Sequence, residues 1–144
     1  MPYFPLAVPK PPKTTKAMTL NEYQEKAMMT NAASSDNDTY SLFGLMAEVG
    51  ELADKVAKGV RKQIITICED RIYHSEEGVQ DGNINLEYVE FEEGMKKELG
   101  DVLWFVSHFA QRFGWSLEEV AQMNLDKLAD RAKRGVIIGS GDNR

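Results

Sequence analysis

The chain has 144 residues, 17 of them basic and 23 acidic, and its five prolines all fall at positions 2, 5, 9, 11 and 12. The longest unbroken apolar run, Val102-Leu103-Trp104-Phe105-Val106, is far too short to span a bilayer, and a single cysteine, Cys68, excludes an intrachain disulfide or a cysteine-based zinc site. Lys10, Lys13 and Lys16 lie in the Pro-rich start, so the rest of the chain sets 14 basic against 23 acidic residues, a poor partner for nucleic acid and no partner for a membrane. The expected product is a cytoplasmic protein with one domain of about 130 residues.

Residues 1–18 read as an extended Pro-rich N-terminal arm. Thr19-x-x-Glu22 is a capping-box signature, and it predicts a first helix from Leu20 to Ala33. Ser34 to Asp38 is a polar loop. A second helix is predicted from Thr39 to Lys62, where Leu42, Leu45, Met46, Val49, Leu52, Ala53, Val56 and Val60 keep helical spacing. Residues 63–85 are an insertion or irregular segment: Ile64, Ile67, Cys68 and Ile72 keep helical spacing, yet the β-branched run Ile64-Ile65-Thr66-Ile67 also suits a strand. Gly78 and Asp81-Gly82-Asn83 mark a turn. A third helix is predicted from Leu86 to Phe113, stopped by Gly114. Ser116-x-x-Glu119 opens a fourth, ending near Arg134 with Gly135 beyond it. Residues 135–144 form a Gly-rich C-terminal tail. The fold class is all-α, a four- to five-helix bundle with little or no sheet, its helical domain running over 19–134.

Acids three apart share a helix face and can converge on one cation. Many such pairs occur here, among them Glu22/Glu25 and Glu87/Glu90, and most must be solvated. Two differ. Glu48-Val49-Gly50-Glu51-Leu52 and Glu98-Leu99-Gly100-Asp101-Val102 repeat one pattern of acid, aliphatic, Gly, acid, aliphatic. A helix-interior Gly costs roughly 0.5–1 kcal/mol relative to Ala, so its recurrence suggests close approach of another helix or of a phosphate. Trp104, Phe105 and His108 share the sector of Glu98 and Asp101 on the third helix. Met95, Leu99, Val102, Val106, Phe109 and Phe113 make a second apolar face. Carboxylates in such surroundings need a metal, a cationic partner or a raised pKa, and a metal site is the favoured reading. Lys97 sits four residues before Asp101, whereas Glu98 has no basic residue three or four positions away on its helix.

On the fourth helix Asn124, Lys127 and Arg131 fall in or beside the apolar arc of Leu117, Val120, Ala121 and Leu128. An amide and two cations at that spacing suit a base or sugar and phosphates; they equally suit snorkelling or pairing with acids of a neighbouring helix. His108 is expected to be a packing residue.

Taken in order, these segments resemble the MazG-like nucleoside triphosphate pyrophosphohydrolases, an all-α family. The resemblance rests on Leu42 to Lys62 with Glu48-x-x-Glu51, on Glu98 to Arg112 with Glu98-x-x-Asp101, on Asn124-x-x-Lys127-Leu128-x-x-Arg131, and on the opening Leu20-Asn21-Glu22-Tyr23-Gln24. One departure is length: 46 residues separate Glu51 from Glu98, more than in compact members, and the excess falls in 63–85. The resemblance implies hydrolysis of a (d)NTP to (d)NMP and pyrophosphate. Glu48, Glu51, Glu98 and Asp101 would hold Mg²⁺, with Mn²⁺ as a substitute, and Glu48 or Glu51 would act as base. Lys127 and Arg131 would meet phosphates, Asn124 the base or sugar, and Trp104 or Phe105 would pack on it. The all-round apolar third helix adds a homodimer or homotetramer. The rival readings are a non-catalytic helical nucleotide- or protein-binding module with a structural cation, and a phosphoribosyl-ATP pyrophosphohydrolase.

Overall fold

The computed structural model describes residues 17–75 and 86–137. The arm through residue 16, the turn at Gly78 and Asp81-Gly82-Asn83, and the tail from residue 138 lie outside the described residues. The elements are α1 (Leu20–Met28), a short 3-10 turn (Ala33–Ser35), α2 (Asp38–Arg61), β1 (Ile65–Cys68), β2 (Arg71–His74), α3 (Leu86–Arg112) and α4 (Leu117–Lys133). The fold is all-α, with one small hairpin added.

Local chemistry explains most of the helix ends. The Thr19 hydroxyl accepts from the Glu22 backbone N–H while the Glu22 carboxylate accepts from that of Thr19, closing a capping box. Asn37 caps α2 through the Tyr40 N–H and Ser116 caps α4 through the Glu119 N–H. Gly114 and Gly135 follow α3 and α4 in the left-handed region, where glycine alone is unstrained. The first helix is shorter than its pattern predicts, ending at Met28 instead of Ala33. The Thr30 hydroxyl and the Trp104 indole N–H both donate to the Ala27 carbonyl, drawing it out of the helical ladder.

The open question over 63–75 resolves as a hairpin. Ile65 pairs with His74 and Cys68 with Arg71, antiparallel, around Glu69-Asp70 with φ of 47° and 66°. Two consecutive positive φ values are what a tight two-residue hairpin needs. Ile65 is buried, and a Cβ on Gly59 would meet it at 3.0 Å and Phe91 at 2.9 Å, so the hairpin is seated where α2 ends against α3.

The main packing is the antiparallel pair α2 and α3, with α1 laid across α3 and joined to α4. Side chains of α1 complete that joint. Gln24, buried, donates to the Trp115 carbonyl and accepts from Leu117 N–H at 2.9 Å, and Asn21 accepts from Glu118 N–H. The free N–H groups at the start of α4 are thus satisfied by α1. Few large apolar side chains are fully buried in the single chain. Phe43, Met46, Leu99, Met123 and Leu125 are each more than half exposed.

Candidate metal centre

Four layers of contact run along the seam between α2 and α3. Ser41 meets His108 (Oγ to Nδ1 2.6 Å), and Gly44 lies so close to Phe105 that an added Cβ would stand 2.0 Å from the ring. Glu48 then meets Asp101, and Lys55 meets Glu98. The spacing of three or four on both helices keeps every one of these residues on the seam.

Glu48, Glu98 and Asp101 each offer a carboxylate oxygen within 4.8 Å of the other two. Three hard oxygen donors so close together fit Mg²⁺ or Mn²⁺ and would repel one another without a cation. Burial first, then the charges of Glu51, Asp101 and Glu98, push the Glu48 carboxyl above its ordinary value. Glu51 stands one turn along α2, exposed and outside the trio, though Glu48 feels its charge.

Two residues at this centre escape the sequence pattern. Lys55 Nζ lies 2.9 Å from Glu98 Oε1, a partner invisible along α3 because it comes from α2. A hydrogen bond to Glu98, and then the charges of Glu98, Glu51 and Asp54, raise the Lys55 pKa against the opposing pull of desolvation. Tyr23 of α1 has its hydroxyl pKa raised, first by burial and then by the Asp101 carboxylate, which sets it at the rim. The signal for Lys55 was its position four residues after Glu51. For Tyr23 nothing local gave a hint.

Among the described residues, a Cβ on Gly50 or Gly100 would meet nothing within 4 Å, so neither allows helix-to-helix approach within the chain. Gly44 and Gly59 do that instead.

Beyond the acids the seam turns aromatic. Trp104 stacks on His108 (centroids 5.1 Å, planes 15° apart) and meets Phe105 edge-on, its N–H held by Ala27 O and by Thr30 Oγ1 at 2.9 Å. His108 is buried as expected. Ser41 Oγ lies 2.6 Å from His108 Nδ1 and 3.0 Å from the Asn37 carbonyl oxygen, and His108 Nε2 lies 3.8 Å from Asp36 Oδ1. Burial lowers the His108 pKa and Arg112 adds to that, against Asp36.

The α4 residues do not join the trio. Asn124 and Lys127 line a hollow of about 760 Å³ together with Leu20, Leu103, Val106 and Trp115, and no carboxylate of the trio lines it. Leu103 lies about 200° round α3 from Asp101, so hollow and seam occupy opposite sides of that helix. Arg131 is buried, whereas Val120 and Leu128 of the expected apolar arc are each about two-fifths exposed (39% and 43%).

Residues 38–136 match the profile of the MazG nucleotide pyrophosphohydrolase domain. The gene 37 protein of Mycobacterium phage L5 is 39% identical to this chain over 106 residues, covering 74% of this chain and 75% of that protein. No solved structure gives a significant match. No helix among the described residues is long and apolar enough to cross a membrane.

Proposed function

The chain belongs to the MazG nucleotide pyrophosphohydrolase family, and on that footing we propose that it converts a (d)NTP and water into the (d)NMP and pyrophosphate. The observation that carries this reading is the oxygen trio of Glu48, Glu98 and Asp101, gathered on the seam between α2 and α3. These three, with Glu51, are the residues that would hold Mg²⁺, or Mn²⁺ in its place. When bound, the ion supplies charge neutralisation on the phosphates and a lowered pKa for a coordinated water.

The protein's own part is to place and deprotonate the water. Glu48, half-buried in the trio, and Glu51, exposed one turn along α2, are the two candidate bases; the one that does not take the proton orients the water or completes the ligand set. Trp104, pinned through its N–H, offers a fixed aromatic wall for the nucleoside. Asn124, Lys127 and Arg131 are the proposed substrate-binding residues of α4. Asn124 and Lys127 line the hollow on the far side of α3 from their own acids, so they would serve a nucleotide bound by a second subunit. The exposed Leu99, Met46, Met123 and Leu125 support such a homodimer or homotetramer, because that much apolar surface seldom faces water. The proposed setting is the cytoplasm, in keeping with the free Cys68.

The test is a screen of the eight common nucleotides with Mg²⁺ or with EDTA. Pyrophosphate released from at least one, and only with the metal, is expected. Orthophosphate as the product would mean a different hydrolysis and overturn the reading, and no turnover with any nucleotide would leave a non-catalytic module.

A further inference from the structure

The seam has a direction. Reading along α2 from Lys55 to Ser41, one passes a cation, the acids, and then Phe105, Trp104 and His108. A nucleoside triphosphate has the same polarity: terminal phosphates, reacting phosphate, base. From the Lys55 contact with Glu98 and the course of its stem over Gly94 of α3, we propose that Lys55 is the binding residue for the leaving pyrophosphate. In the metal-free protein the same lysine stands in for the cation, and metal entry turns it from Glu98 to the β- and γ-phosphates. This rests on the acid-site reading above.

Three observations bear on it. Lys55 Nζ reaches the same carboxylate that belongs to the oxygen trio, so it stands at the edge of the site. A Cβ at Gly94 would lie 3.4 Å from Lys55 Cδ, 3.5 Å from Cε and 3.6 Å from Nζ, all ordinary contact distances, so the lysine stem passes over α3 at Gly94. The side chain keeps 36% of its surface exposed, so it is free to turn outward when a metal takes over Glu98. Its neighbour Lys58 differs: it pairs with Asp54 on its own helix, away from the trio.

Cation competition and anion binding have opposite signs, which gives a distinctive test. Binding of Mn²⁺ alone is measured by calorimetry, and then of inorganic pyrophosphate to the Mn²⁺-loaded protein, for the wild type, Lys55→Met, Lys55→Arg and Lys58→Met. Lys55→Met should bind Mn²⁺ about threefold more tightly, having lost the competing charge, and pyrophosphate at least about tenfold more weakly. Lys55→Arg should retain pyrophosphate binding, and Lys58→Met should match the wild type in both. If the wild type binds Mn²⁺ and Lys55→Met changes neither affinity, the Lys55 role is overturned and the metal centre stands. If the wild type binds no Mn²⁺, both readings fall together. Calorimetric binding needs no turnover, so an inactive preparation cannot be mistaken for either result.

Discussion

The acidic seam and the α4 hollow lie on opposite sides of one helix and are built to different degrees of completion. At the seam Glu98 has Lys55, Ser41 has His108 and Gly44 has Phe105, all from the same chain. The hollow instead gathers Leu103, Val106, Met123, Asn124 and Lys127 around about 760 Å³ and leaves Met123 67% exposed. On the proposed function, the chemistry of the carboxylates would be confined to one subunit, and recognition of the rest of the nucleotide would draw on surfaces that a second subunit completes.

Removing the seam's charge should have the largest effect. Glu98→Gln or Glu48→Gln should lower turnover by at least about a hundredfold, while Glu90→Gln and Glu22→Gln, with the same spacing but no trio, should stay within about twofold. The metal-free melting temperature should be unchanged or raised in the two seam variants, because crowded like charges have been relieved. An equal loss in the controls would remove the distinction between these acids and the rest.

Breaking the hollow should separate assembly from metal binding. The wild type should scatter light with at least twice the chain mass of 16.2 kDa. Met123→Asp should fall toward a single chain yet still bind Mn²⁺, since the trio is complete without a partner. Loss of Mn²⁺ binding on dissociation would show the seam to be as incomplete as the hollow.

The glycines sharpen the contrast on a smaller scale. Gly44→Ala drives a Cβ into the Phe105 ring and should cost about 1–3 kcal/mol in denaturant unfolding. Gly50→Ala meets nothing and should add roughly 0.5–1 kcal/mol. If Gly50→Ala stabilises and still lowers turnover, its bare backbone serves an approaching phosphate; if activity is untouched, the repeated glycine has no catalytic meaning.

These residues also show what a sequence can disclose. The caps at Thr19 and Ser116, the glycines after α3 and α4 and the long α2 periodicity are all legible, because each is set by neighbours within a turn or so. What escaped depends on distant partners. The early end of α1 needs Trp104, 77 residues beyond Ala27. Lys55 and Glu98 are neighbours only after α2 and α3 pack. The glycine pattern pointed to Gly50 and Gly100, yet close approach is decided by Phe105, Phe91 and Ile65, which no local pattern links to Gly44 or Gly59. The hairpin stayed ambiguous because its β-branched run also fits helical spacing; the left-handed pair Glu69-Asp70 decided it.

The smallest expected effect is one of pH, at the aromatic end of the seam. His108 is neutral in the fold, with its pKa lowered by burial and by Arg112. Between that lowered value and the ordinary one near 6.5 the unfolded chain binds the extra proton, so stability falls as pH drops through this window and levels off below it. His108→Gln should flatten the fall in melting temperature over the same range; an unchanged slope would assign the acid sensitivity to another group.

The central claim is that water attacks the α-phosphorus at the carboxylate trio, and the position of a solvent oxygen tests it most directly. Hydrolysis of the preferred nucleotide with Mg²⁺ in ¹⁸O-water, followed by mass spectrometry of both products, should place one ¹⁸O in the nucleoside monophosphate and none in the pyrophosphate. Label in pyrophosphate would mean attack at the β-phosphorus, and label in orthophosphate attack at the γ-phosphorus; either would contradict the account.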